Sequence, residues 1–304
     1  QPGYEERIAA IHKNIYQYFY DSSAKLFRET NPARPNDRPH SYLWPICALI
    51  QAANEMEQLQ PGKKYMQPVI QAIDQYRSTK PPRPGYDSYV VSEGGGDRFY
   101  DDNQWIGLAY MDAYRRNGDQ KMLQLSEEIY RFQMSGFETV TGGGLYWKEN
   151  DPTTKNTCSN GPGILLALRL YQATKKQAYL DTAILLYDWT KEKLLSPEDV
   201  YFDAVKIPER TLDKRCFTYN TGTMLQSGVL LYAVTKNEKY LKDAQDLAKG
   251  SLAYFFKEGR FPRNYWFNAV LLRGYEELYK VDGNKTYINA FFTDTDKIFQ
   301  SELD

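Results

Sequence analysis

One pattern constrains this chain more than any other. An almost wholly apolar helical run, a tight turn bearing Lys, Asn or Gly, and a second, more charged helical run recur along it. LLALRLYQATKKQAYL (165–180), VLLYAVTKNEKYL (229–241) and VLLRGYEELYKVDGNKTYI (270–288) follow this plan, and MDAYRRNGDQKML (111–123) follows it earlier. Apolar residues at three- and four-residue spacing predict about eleven helices, near 4–20, 42–58, 65–79, 102–117, 120–134, 162–175, 178–195, 221–236, 239–256, 265–280 and 285–302. The first member of each hairpin begins near 42, 102, 161, 220 and 265, so the early repeats are about sixty residues long. First members such as ILLAL and GVLLYAV are apolar all round, which predicts burial on every side. Second members such as YLKDAQDLAKG and SEEIYRFQ carry charge, which predicts a solvent-facing layer. Buried and outer helices that alternate in this way close into a double-layered, all-α toroid; an open solenoid of the same hairpins is the alternative. Only about five inner helices are clear, so the toroid is expected to be imperfect. The Pro-rich stretches Asn31–Pro39 and Lys80–Pro84 read as loops, because the hairpins resume straight after them, and residues 1–304 are expected to form a single domain.

A net charge of −1 exerts no general pull on nucleic acid or an anionic membrane. No apolar run reaches the length of a membrane span. The chain begins at Gln1, which reads as a mature or trimmed form from which a targeting segment has been removed. Cys47, Cys158 and Cys216 contain no CxxC pair and are odd in number, so neither a disulfide framework nor a zinc site can be read from them. His12 and His40 are too far apart in sequence to form a local metal motif and are expected to be structural. No metal or organic cofactor is implied. The aromatic fraction of 15%, with 26 Tyr and 5 Trp, exceeds what a core needs. It points to a cleft that stacks on flat, hydroxyl-rich ligands, although most of the tyrosines are expected to fill helix seams.

The longer loops, 80–101, 135–161, 196–220 and 257–264, each precede a first-member helix and are expected at one end of the toroid. The sharpest segment is SEGGGDRFYDDNQW (92–105). Gly94, Gly95 and Gly96 permit backbone conformations closed to other residues, and Asp101, Asp102 and Asn103 stand at the start of the apolar run. Capping of the helix is the plain reading of such residues. One carboxylate suffices for that, however, and two side by side repel each other, so one pKa should rise. A protonated acid beside an ionised carboxylate is what glycosidic cleavage requires. Consecutive Cα atoms lie about 3.8 Å apart, which lets two Asp carboxyls sit roughly 5 Å apart, the retaining separation.

FYDDNQW (99–105) resembles the signature of glycoside hydrolase family 76, the endo-α-1,6-mannanases with an (α/α)6 fold. SYLWP (41–45), GGGLYWK (142–148), KNTCSNG (155–161), TYNTG (218–222) and FKEGRFPR (256–263) resemble further motifs of that family, in the same order. Thr221 stands where the family's Thr-Tyr-Asn-x-Gly motif carries Gln, and Gln104 where a small residue is usual. The resemblance implies an (α/α)6 toroid, Asp101 as nucleophile and Asp102 as general acid/base. It implies that Asn103 and Trp105 shape the site, that Tyr219 and Asn220 face the same cavity, and that Trp44, Trp147 and Phe261 are sugar platforms. Asn156, Asn160 and Arg263 are implied as hydroxyl partners.

The activity so implied is retaining, endo-acting hydrolysis of α-1,6-mannan by a monomer that is secreted, displayed at the cell surface or periplasmic. Its partner is a polysaccharide or oligosaccharide, with no nucleic acid and no membrane span. Another toroid enzyme acting on a different glycan, and a protein that binds glycan without cutting it, are the alternatives.

Overall fold

The computed structural model describes residues 3–301. Eleven α-helices lie among them, distributed over two compact units, one running to Phe132 and the other starting at Gln133.

The first unit contains α1 (Tyr4–Tyr18), the two-residue strands β1 (Tyr20–Asp21) and β2 (Leu26–Phe27), α2 (Leu43–Leu59), α3 (Met66–Ile73), β3 (Arg77–Ser78), β4 (Gly85–Tyr86), α4 (Tyr100–Asn117) and nearly all of α5 (Gln120–Gln133). Helix α2 packs on α3 and α4. Every residue of α4 from Tyr100 to Met111 is buried, the polar first turn (Asp101–Gln104) together with the apolar run that follows it. The Ser126 hydroxyl of α5 reaches back to the Gly107 carbonyl of α4 at 3.1 Å. Helix α3 is shorter than its periodicity predicts. After Ile73 the chain tightens into a 3₁₀ turn, and Tyr76, fully buried, donates its hydroxyl to the Ser41 carbonyl at 2.6 Å. The chain then extends into β3 ahead of Pro81 and Pro82, residues that cannot continue a helix.

The second unit holds β5 (Thr154–Asn156), α6 (Thr157–Thr174), α7 (Gln177–Leu194), β6 (Phe202–Lys206), β7 (Thr211–Cys216), α8 (Thr218–Thr235), α9 (Glu238–Phe255), α10 (Tyr265–Asp282) and α11 (Thr286–Ser301). Helix α6 packs on α7 and α8, α8 on α9 and α10, and α10 on α11. Lys155–Leu170 and Thr218–Leu231 are continuously buried, whereas α7, α9 and α11 bury one face. Glycines allow the close approaches. A Cβ at Gly222 would lie 2.6 Å from the Leu271 Cα of α10, and one at Gly161 would collide with Thr223 of α8.

Two features depart from the sequence expectation. Helices α6 and α8 begin at Thr157 and Thr218, a turn or so before the predicted starts, and Pro162 lies inside α6 rather than opening it. The segments expected as plain loops also carry an antiparallel sheet, β5-β6-β7, in which Asn156 pairs with Ala204 and Lys206 with Thr211. Among the described residues, Tyr76, Tyr86, Tyr89, Tyr110, Tyr187, Tyr201 and Tyr275 are less than 2% exposed and belong to the packed interior.

Candidate active site

Strand β4 leads into the glycine run. Gly94 and Gly95 adopt φ of 110° and 60°, and a Cβ at Gly95 would meet the Asp87 carboxylate at 2.5 Å. That carboxylate is fully buried and held by the Lys80 ammonium at 2.7 Å and the Gly96 N–H at 3.3 Å. The run therefore wraps a buried carboxylate, whose Lys80 partner is exposed, and delivers the chain to α4. The residue before the helix is Phe99, extended, with no side-chain cap. Asp101 and Asp102 lie inside the first turn, so neither is the N-cap.

Both aspartates are buried, 6% and 7% exposed. Burial, and then the Asp101 charge, push the Asp102 carboxyl well above the usual carboxylate range. The positive end of α4 favours negative charge at this turn. The arrangement thus favours one proton on Asp102 beside a neighbour whose charge opposes its loss. Behind the pair, the buried Cys47 thiol donates to the Asp102 carbonyl at 3.3 Å, and burial and the two carboxylates push that thiol up.

The fourth residue of α4, Asn103, is fully buried. It accepts from the Tyr86 N–H at 2.7 Å and donates to the Tyr86 and Phe99 carbonyls at 3.0 and 2.8 Å. The fourth residue of α6 repeats this: Asn160 accepts from the Leu145 N–H at 2.8 Å and donates to the Leu145 and Asn156 carbonyls at 3.0 and 2.8 Å. The fourth residue of α8 is Thr221, whose hydroxyl accepts the Tyr201 N–H at 3.1 Å. In α10 it is Asn268, which donates to the Pro262 carbonyl at 2.7 Å. One helix position thus ties down the segment that leads into each helix. The side-chain amides of both Asn103 and Asn160 are thus engaged with backbone, Asn103 directly after the aspartate pair. The departure at Thr221 keeps the same tether with a single bond.

The remaining expected residues fall into three groups. Trp147 is 39% exposed, Trp44 half-buried and Arg263 exposed. Arg263 lines a cavity of about 490 Å³ with Phe217, Thr218, Tyr254 and Phe267. Trp105 and Tyr219 are buried, and Tyr219 stacks on Phe267 at 3.9 Å between centroids. Phe261 is 4% exposed and stacks on Phe291 at 4.3 Å, so the structure gives it to packing rather than to a sugar face. Asn156 and Asn220 are buried, and the side-chain carbonyl of each has no hydrogen-bond partner among the described residues. Each thus retains an acceptor for a group from outside the chain.

Sequence reasoning missed Asp203. It lies on β6, 8% exposed, accepts from the Asn220 amide at 3.2 Å, and is pushed up by burial. Its signal was weak: an acid within the alternating run YFDAVK. Both histidines contact other side chains. His12 packs against Tyr16 and Tyr65, and His40 Nδ1 lies 2.6 Å from Glu93 Oε1. Among the described residues no group of His, Cys, Asp and Glu is arranged to hold a metal ion, and no helix is long and apolar enough to cross a membrane.

The profile of glycosyl hydrolase family 76 matches residues 4–298. The chain belongs to that family. A family 76 α-mannanase of Bacteroides thetaiotaomicron superposes at a TM-score of 0.90 over 98% of this chain and 84% of its own, at 25% identity. The fold class is therefore the all-α (α/α)6 type of family 76. A mannan endo-1,6-alpha-mannosidase of Candida glabrata is 29% identical over 171 residues, 51% of this chain and 38% of its own length. This chain spans about half or less of the length of the curated relatives it matches. An α-1,6-mannanase of a Salegentibacter species, inactivated by replacing two consecutive aspartates with Asn and bound to α-1,6-mannotriose, matches at a TM-score of 0.80 over 99% of this chain and 89% of its own, at 23% identity.

Proposed function

We propose that this chain is a retaining, endo-acting hydrolase of α-1,6-mannan, with Asp101 as nucleophile and Asp102 as general acid/base. The observation that carries the reading is the pair of adjacent, buried carboxylates in the first turn of α4, with the Asp102 acid pushed up. Asp101 attacks the anomeric carbon while Asp102 gives its proton to the leaving oxygen. Asp102, now ionised, then takes a proton from the water that hydrolyses the glycosyl–Asp101 ester. The Salegentibacter enzyme, inactivated at two consecutive aspartates and bound to α-1,6-mannotriose, supports both the pair and the substrate class.

Trp44, Trp147 and Arg263 are the exposed or half-exposed candidates for sugar contact, and Asn156, Asn220 and Asp203 the buried polar ones. Trp105 is the buried aromatic residue on the same helix as the aspartate pair, and Tyr219 packs against Phe267. The family profile runs unbroken through the boundary between the two units, which supports reading residues 1–304 as one catalytic domain. A polymeric substrate further supports action outside the cytoplasm; the proposal takes the protein to act as a monomer.

The test is incubation with linear α-1,6-mannan followed by NMR. Release of oligosaccharides first as the α-anomer, abolished in Asp101→Asn and Asp102→Asn, is the expected result. Full activity in both variants refutes the assignment.

A further inference from the structure

The glycine-rich loop that ends in Trp147 is held by a buried cation the reaction does not use. Lys155, in β5, has a side chain with no exposed surface. Its ammonium pairs with the Glu138 carboxylate and donates to the Gly143 carbonyl at 2.6 Å. It also lies 4.7 and 5.7 Å from the centroids of the Tyr146 and Trp189 rings, within reach of a cation–π attraction. Removing an ammonium from water is costly unless it is paired, so a fully buried lysine needs a structural reason.

Its partners supply one, because they all belong to or flank one segment. Glu138 also accepts from the Thr141 N–H at 3.1 Å and the Tyr146 hydroxyl at 3.2 Å. Gly142, Gly143 and Gly144 all have positive φ, and a Cβ at Gly144 would lie 2.7 Å from the Trp189 ring. The loop backbone therefore lies flat on Trp189, with Lys155 beneath it and Glu138 at its start. Three residues beyond Gly144 the chain presents Trp147, whose N–H bonds the Thr154 carbonyl at 3.2 Å, next to Lys155 itself.

We propose that Glu138 and Lys155 are positioning residues that fix the 137–148 loop so that Trp147 is presented as a preformed stacking platform for a mannan chain. The ligand half of this inference rests on the function proposed above. Presentation of an ordered ring lowers the entropy cost of binding, so the pair is expected to act on affinity rather than on bond cleavage.

The experiment is a double-mutant cycle in full-length protein carrying Asp101→Asn to stop turnover. Calorimetry with α-1,6-mannotetraose is run on this parent and with Trp147→Ala, Lys155→Met and both together, alongside amide hydrogen exchange of residues 137–148. Trp147→Ala is expected to weaken binding about tenfold, as loss of one aromatic stacking contact does. Lys155→Met should speed exchange in the loop and weaken binding comparably, yet add nothing once Trp147 is gone. Glu138→Gln, which keeps the shape and removes the charge, should move both readouts the same way, and it decides the matter if Lys155→Met does not fold. Unchanged exchange in both brace variants overturns the positioning role. An equal loss of affinity with and without Trp147 shows that Lys155 does not act through it, and overturns the proposal. If the parent binds no α-1,6-mannooligosaccharide, the mannan reading and the ligand half fall together, while the exchange result still decides the brace.

Discussion

The tether at the fourth position of the buried helices makes a graded prediction. Asn103→Ala strips the buried Tyr86 residue of partners for both its N–H and its C=O, bonds of 2.7 and 3.0 Å. The Phe99 carbonyl keeps a second partner, the Asn103 N–H at 3.4 Å. Two buried backbone groups are thus orphaned, at about 1–3 kcal/mol each, so the expected loss is about 4 kcal/mol. Asn160→Ala orphans only the Leu145 N–H, because the Leu145 carbonyl keeps the Ser159 hydroxyl at 3.4 Å, and should cost about 2 kcal/mol. Thr221→Val, nearly isosteric, orphans only the Tyr201 N–H and should cost about 2 kcal/mol. Against a total stability of about 5–15 kcal/mol these are large fractions. The assay is urea unfolding followed by far-UV circular dichroism, where a shift of midpoint at constant slope reports stability alone. The expected order of loss is Asn103→Ala the largest, with Asn160→Ala and Thr221→Val each about half as costly. Losses below about 1 kcal/mol for both asparagine variants, the level of an unremarkable substitution, would refute the tether and return these side chains to the ligand.

Other perturbations follow from the same geometry. Because burial and Asp101 raise the Asp102 pKa above its unfolded value of about 3.9, its contribution to stability is present below that value and lost as pH rises through the folded pKa. Asp102→Asn should therefore be inactive yet melt higher than wild type at pH 7, with the gap in Tm shrinking on acidification; a gap that widens in acid contradicts the raised pKa. With Asp102 as proton donor, the alkaline limb of kcat/KM should lie above the ordinary carboxylate range, and a limb near pH 4 (about the unperturbed Asp value) excludes it from that role. Gly222→Ala would place a Cβ 2.6 Å from the Leu271 Cα, where backbone rather than a pliable side chain must move, and should cost about 1–3 kcal/mol by thermal unfolding.

The helical plan could be read from the chain because burial on all sides writes a continuous apolar run, as in GILLALRL and SGVLLYAV, while the partly exposed partners keep their charge. Helix starts were harder. Thr157–Gly161 and Thr218–Gly222 are polar and small, and resemble loop, yet they are helical because tethers and neighbouring helices satisfy them; tertiary contacts outweighed the local signal at Pro162. The sheet β5-β6-β7 escaped notice because β5 is only three residues long and alternation cannot be seen over so few. At the site, the paired aspartates could be recognised because a second acid beside a helix start has no capping role. The backbone and ring contacts of Asn103, Asn160 and Phe261 could not be foreseen, because sequence shows that a polar or aromatic group is present, but not whether backbone or another ring already occupies it. Lys155 and Asp203 were passed over for the complementary reason: a charge in a strand reads as solvated until its burial is known.

The tethers also say how this scaffold can change. Tyr86 and Asn103 are 17 positions apart, Leu145 and Asn160 15, and Tyr201 and Thr221 20. Each span is a closed ring hung on its helix, with its entry and exit knotted at one point. The entropy of closing such a ring grows only slowly with its length. Residues can thus be added or removed within a ring without pulling on the helix that bears it. Asp101 and Asp102 sit in the first turn of α4, immediately before one knot, so their placement is set by the knot and not by the ring's contour. On the function proposed above, such an architecture separates the part that cuts from the parts that choose what is cut, and ring exchange between relatives should alter preference while leaving the pair in register.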